Sequence, residues 1–125
     1  MKQVVLISNN KMLAQGLEAA LLARSELEIQ FLPPLNYRQA LVGVQAYEPQ
    51  AAILDATQQT GRDTILELCS SLREAEPACK ILLMVSADTS ESRDLAVEAK
   101  QQALADDFVF YDSSLSYLFA KLSAI

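Results

Sequence analysis

Polar side chains that could do chemistry follow three short apolar runs of the chain. Asp55 directly follows the second of these runs, while Ser8 with Asn9 follows the first and Ser86 follows the third. In open α/β sheets, ligands bind outside the carboxyl ends of the strands, so these side chains are candidates for one site. An aspartate after a strand also often only orders the turn, and that alternative stays open. The apolar runs are 4–7, 51–54 and 81–85.

Composition limits the classes of function. The chain has 125 residues, 51% of them hydrophobic and 21% charged, which is typical of one globular domain. A net charge of −6 argues against a nucleic-acid-binding surface, which needs clustered lysine and arginine. The absence of histidine excludes a phosphohistidine donor and a histidine-ligated metal. No apolar run has the length of a membrane span. With two cysteines expected in the core and no secretory signal, we expect a cytoplasmic protein.

Strand and helix patterns alternate along the whole chain. Continuous apolar runs predict strands covered on both faces, and apolar residues at helical spacing predict the helices between them. The pattern predicts five βα units in a doubly wound parallel sheet with helices on both faces. Predicted strands are 4–7, 27–31, 51–54, 81–85 and 108–111. Predicted helices are 11–24, 37–48, 63–76 and 90–104, with a last one from residue 115.

Four segments in order resemble a response-regulator receiver domain. They are 4–17, with Gln15-Gly16-Leu17, then 49–55, 84–87 and 105–108. The resemblance covers essentially the whole chain and implies a flavodoxin-like (βα)5 fold with strand order 2-1-3-4-5. It also implies that Asp55 is the phospho-acceptor and that Ser86 and Phe108 are the switch residues. Each has a simpler interpretation, since Asp55 could order its loop, Ser86 could bond to its own turn, and Phe108 could pack in the core.

The departures from the family pattern concern its charged residues. Receivers carry an acidic pair where this chain has Ser8 and Asn9, and that pair holds magnesium together with the acceptor aspartate. Tyr111 stands where the family has a lysine that pairs with the phosphoryl group; its phenol could instead bond to Asp55, or point elsewhere. Gln58-Gln59 also replaces the usual Met-Pro, and the fourth helix looks about one turn longer. We therefore predict a pseudo-receiver that is not an enzyme and binds magnesium weakly if at all.

The fifth strand indicates a partner. Residues 108–111 are apolar on both faces, yet the family's strand order places this strand at an edge, where it needs cover. We predict a homodimer through the fourth helix, fifth strand and fifth helix, with Tyr117 in the interface; cover by the fourth helix within the chain is the alternative. The resemblance also leaves open a sensor histidine kinase as a partner.

Two classes of function remain from the sequence. The first is a receiver-like domain over residues 1–125, which leaves open a longer regulator with a DNA-binding output domain. The second is a flavodoxin-like domain that binds a small ligand or cofactor. Such domains need a phosphate-binding first loop rich in glycine, serine or threonine, and the segment 8–11 contains no glycine. The first class is therefore favoured.

Overall fold

A computed structural model describes residues 1–57, 61–86 and 90–125. Its sheet has five parallel strands in the order β2-β1-β3-β4-β5, which confirms the predicted flavodoxin-like fold class. The elements, in chain order, are β1 (Lys2–Ile7), α1 (Lys11–Leu22), β2 (Ile29–Phe31), α2 (Ala40–Tyr47), β3 (Ala51–Asp55), α3 (Arg62–Ala75), β4 (Lys80–Val85), α4 (Ser90–Gln101), β5 (Asp107–Phe110) and α5 (Leu115–Ala124).

Helices cover both faces of the sheet, so the central strands are buried on both sides. On one face, Ile53 of β3 packs in a cluster with residues of α1 and α5. On the other, Leu54 packs in a cluster with residues of α2, α3 and α4. All five residues of β3 are buried, which explains why its first four residues, 51–54, are all apolar instead of alternating with polar ones. None of the helices in the described ranges is long and apolar enough to cross a membrane.

The fourth helix ends earlier than the sequence predicted. Helix α4 ends at Gln101, three residues before the predicted Leu104. Ala103 adopts a left-handed conformation with φ of 58°, and the N–H groups of Leu104 and Ala105 both donate to the carbonyl of Ala99. This is how a helix closes its C-terminus, usually with glycine in the left-handed position. Alanine gave no signal of the helix end in the sequence.

Two further boundaries bear on the site. The sequence predicted a fifth strand over 108–111, which includes Tyr111. Strand β5 instead runs from Asp107 to Phe110, so Tyr111 lies in the turn after the strand. Helix α2 begins at Ala40, which leaves Tyr37 in the preceding turn. Gln58, Gln59 and Ala87, which also entered the resemblance to receivers, lie outside the described residues.

Candidate functional site

The candidate site lies where β1 and β3 end side by side. The strands pair in parallel with Ile7 opposite Leu54, so Ser8 and Asp55 follow at the same edge. On the other side of β3, Asp55 is paired with Met84 of β4. The sequence prediction that polar side chains after neighbouring strands meet at this edge is confirmed for Ser8 and Asp55.

Asp55 is completely buried, and its carboxylate accepts hydrogen bonds only from neutral groups among the described residues. The Ser8 hydroxyl donates to Oδ2 at 2.6 Å. The Thr57 backbone N–H and hydroxyl donate to Oδ1 at 2.9 and 2.5 Å. Both carboxylate oxygens are thus used within the domain.

Ser8 and Asn9, predicted to replace an acidic pair, have separate roles in the structure. The Ser8 hydroxyl accepts the N–H of Asn10 at 2.9 Å, which orients its proton toward Asp55. Asn9 contacts the other side of the site instead, where its Oδ1 accepts the backbone N–H of Tyr37 at 3.0 Å. Tyr37 in turn donates its phenol hydrogen to the main-chain carbonyl of Asp55. These bonds connect the turn before α2 to both strand ends.

The side chains present do not fit a magnesium ion. Magnesium binds through carboxylates and water in octahedral geometry, and Asp55 is the one buried carboxylate among the described residues. No group of three or more His, Cys, Asp or Glu side chains in the described ranges could hold a metal ion. Ser8 occupies one side of Asp55 with a hydroxyl that brings no charge.

The start of α1 is also not open to an anion. The side-chain Oδ1 of Asn10 accepts the N–H groups of Met12 and Leu13 at 3.1 and 3.2 Å. Flavodoxin-like cofactor sites use such free N–H groups at a helix start to bind phosphate. Here the chain's own side chain satisfies two of them, which argues against the cofactor-binding alternative.

None of the remaining predicted site residues, Ser86, Phe108 and Tyr111, brings a charge to Asp55. Ser86 follows β4 and is partly exposed. Phe108 packs against the core, with its ring 5.8 Å from that of Phe110 in an edge-to-face arrangement. The sequence left open whether the Tyr111 phenol bonds to Asp55 or points elsewhere. Tyr111 is 54% exposed and makes no hydrogen bond to Asp55, so its phenol points elsewhere. Its position supplies no cation to the site.

Cys69 and Cys79 are buried, as expected for core thiols. Burial raises the pKa of each thiol to about 11, with Arg73 lowering the pKa of Cys69 by a smaller amount. Thiols with such pKa values are protonated at neutral pH and therefore poor nucleophiles. Neither cysteine is a candidate for the chemistry of this protein.

Two residues of the site were missed from the sequence. Thr57 stands two positions after Asp55, the spacing at which an aspartate side chain bonds to its own backbone, so the signal was present. Tyr37 is the first residue of the predicted helix 37–48. Its contact with Asp55 depends on the path of the turn after β2, which the sequence does not show.

Comparison with solved structures identifies the fold as that of response-regulator receiver domains. The chain is similar to a LuxR-family DNA-binding response regulator from Staphylococcus aureus, at a TM-score of 0.76 and 18% identity over 99% of this chain and 98% of that one. A CheY-like receiver domain protein from Methanospirillum hungatei gives 0.74 and 13% over 99% and 92%. An adenylate cyclase from Rhodopirellula baltica gives 0.79 and 16% over 98% and 85%. No family model and no curated protein sequence matches the chain.

Proposed function

We propose that the chain is a pseudo-receiver: a signalling module that acts through protein–protein contacts and in which Asp55 holds the site together instead of accepting phosphate. The observation that carries the proposal is the set of neutral donors on both Asp55 oxygens. The receiver fold supports a signalling role, while the side chains around Asp55 differ from those that phosphorylation needs. We propose that the module itself is not an enzyme.

Phosphoryl transfer depends on positioning and on cations that stabilise the charge on the transferred group. A nucleophilic oxygen must be accessible to the donor, but Asp55 is fully buried and hydrogen-bonded at both oxygens. Tyr111 stands in place of a cation, and a phenol carries no positive charge. The loss of metal and lysine removes two contributions that are each often worth several kcal/mol in the transition state.

Magnesium binding tests this proposal directly. We expect amide shifts near Asp55 to stay unchanged, or to move without saturating, as magnesium is added at millimolar concentration. The variant Ser8→Asp with Asn9→Asp restores two carboxylates and should bind magnesium, while Ser8→Ala serves as the control that removes the hydroxyl without adding charge. Saturable binding by the unchanged protein at sub-millimolar magnesium would overturn the proposal.

The proposed partner is a second copy of the chain, bound through α4, β5 and α5. Strand β5 is an edge strand in which only Val109 is fully buried, and Val97 of α4 and Tyr117 of α5 beside it are 44% and 48% exposed. Asp107 on β5 accepts Lys121 of α5 at 2.7 Å and lies 3.5 Å from Lys100 of α4, which fixes the two helices against the edge. These ion pairs join the three elements before any partner binds, and preorganised faces lose less entropy on association.

Light scattering over a concentration series tests the dimer. We expect the mass of a dimer at high concentration and its loss in Tyr117→Glu, because a charge would be buried in the contact. Val42→Glu is a matched control, since Val42 is exposed on α2 and outside the proposed face. A monomer at every concentration would contradict the dimer and leave the phosphorylation proposal intact. Control of an attached DNA-binding domain stays a prediction from the resemblance.

A further inference from the structure

A cavity of about 630 Å³ lies between α1 and α5, on the face of the sheet opposite to α4. Its floor is formed by buried side chains of α1, the sheet and α5: Leu17, Met84, Val109 and Leu118. Exposed Met12 and Leu115 stand on opposite sides of the opening. Cavities of this size, mostly apolar with a few polar groups, are typical of small-molecule sites.

Gly16 lines this cavity without contributing a side chain to it. It lies in the middle of α1, one turn after Met12 on the same face, and it lines the cavity. Glycine in a helix interior is less favourable than alanine, so its presence there needs a reason. Close packing is not that reason, because a Cβ added at residue 16 would meet no atom within 4 Å. Any larger side chain would extend into the space between the helices.

The polar rim indicates the chemistry of the ligand. Asn10, Tyr111 and Ser113 contribute hydrogen-bonding groups, and Asp112 is the one charged residue among the described residues that line the cavity. A carboxylate at the rim favours a hydrogen-bond donor or a cation and repels an anion. The overall charge of −6 acts in the same direction.

We propose that this cavity binds an apolar small molecule, neutral or cationic, that carries a hydrogen-bond donor placed at Asp112. The inference goes beyond the proposed function, because it requires neither phosphorylation nor a protein partner. The site is nevertheless connected to the Asp55 network: the backbone of Asn10 on the rim donates to Ser8, whose hydroxyl donates to Asp55. A ligand that shifts Asn10 therefore acts on the same strand ends.

Binding of N-phenylnaphthylamine, a neutral apolar fluorophore with one N–H donor, tests the site in the intact chain. We expect a saturable rise in fluorescence with one probe bound per chain. Gly16→Leu should weaken binding about tenfold or more, because its side chain fills the space that the probe needs. Gly16→Ala, which adds one methyl group, should have a much smaller effect. No saturable binding, or equal binding by Gly16→Leu, would overturn the proposal.

Three controls establish whether the probe occupies this cavity and why it binds there. Anilinonaphthalene sulfonate has the same rings plus a sulfonate anion, so it should bind more weakly than the neutral probe. Asp112→Asn removes the carboxylate that repels the anion and should reduce the difference in affinity between the two probes. Leu115→Glu on the exposed rim should also lower the affinity of the neutral probe. If Gly16→Leu does not fold, this variant replaces it in the test. Light scattering of the same samples identifies a second copy as the occupant: a dimer that Gly16→Leu dissociates would refute a small-molecule site.

Discussion

The two edges of the sheet surround their carboxylates with opposite kinds of neighbour. At the carboxyl edge, Asp55 is fully buried and accepts hydrogen bonds from Ser8 and Thr57, which carry no charge. At the amino edge, the side chains of Asp106 and Asp107 are about a quarter exposed, and each contacts two cations. Arg73 and Lys80 contact Asp106, and Lys121 and Lys100 contact Asp107.

The pKa values at the amino edge reflect these contacts. Partial burial raises the pKa of Asp106, but hydrogen bonds from the Ile81 N–H and Arg73 outweigh it and hold the pKa below its ordinary value. Partial burial also raises the pKa of Asp107, but hydrogen bonds from Lys121 and the Phe108 N–H outweigh it and lower that pKa. The same hydrogen bond to Asp107 raises the pKa of Lys121. Cations in this domain therefore stabilise the fold, and the edge where receivers do their chemistry has none among the described contacts of Asp55.

Asp55→Ala should produce the largest change in stability. It leaves two hydroxyls and one N–H without their acceptor in a buried site, which costs about 2–4 kcal/mol in the free energy of unfolding. Asp55→Asn is the matched control: it keeps one oxygen acceptor, so its loss should be about half as large. Urea unfolding measures both. A cluster of repelling carboxylates would give the opposite sign, so stabilisation by Asp55→Ala would contradict the neutral site described here.

Arg73→Met should have the next largest effect, and its size should depend on pH. Folding lowers the pKa of Asp106 from its unfolded value near 3.9. The ionised carboxylate therefore stabilises the fold fully above that pH, and this stabilisation is lost as the pH falls through the lower pKa of the folded state. We expect Arg73→Met to lower the free energy of unfolding by about 1–2 kcal/mol at pH 7. In a plot of that free energy against pH, the decline at acid pH should become less steep. Arg73→Lys should keep most of the stability that Arg73→Met loses, because a single terminal nitrogen of Arg73 contacts Asp106. An unchanged decline at acid pH in Arg73→Met would show that other carboxylates dominate it.

The two lysines on Asp107 offer the finest comparison. Lys121 is 2.7 Å from the carboxylate and mostly buried, whereas Lys100 is 3.5 Å away with half of its side chain exposed. We expect Lys121→Met to cost about 1 kcal/mol and Lys100→Met less than about 0.5 kcal/mol, because solvent screens the exposed pair. Thermal unfolding at low and high salt measures the difference. Equal losses would mean that distance and burial do not rank these pairs.

Much of this arrangement could be predicted from the sequence. Strands buried on both faces appear as continuous apolar runs, and the polar residues directly after neighbouring strands, Ser8 and Asp55, do meet. What was missed depends on turns. Pro33-Pro34 interrupts β2, yet the chain returns to β1 when Leu35 pairs with Ile7, and this brings Tyr37 onto Asp55. No local pattern marks that return. The end of α4 was missed because alanine, and not glycine, takes the left-handed position.

Incubation with acetyl phosphate and magnesium, followed by intact-mass measurement, tests the central claim most directly. Because both oxygens of Asp55 are bonded to neutral donors in a buried site, we expect the protein to keep its unmodified mass over hours. Asp55→Asn is the control for phosphorylation elsewhere in the chain. Rapid addition of one phosphoryl group per chain that Asp55→Asn abolishes would contradict the account and show that Asp55 is a functional phospho-acceptor.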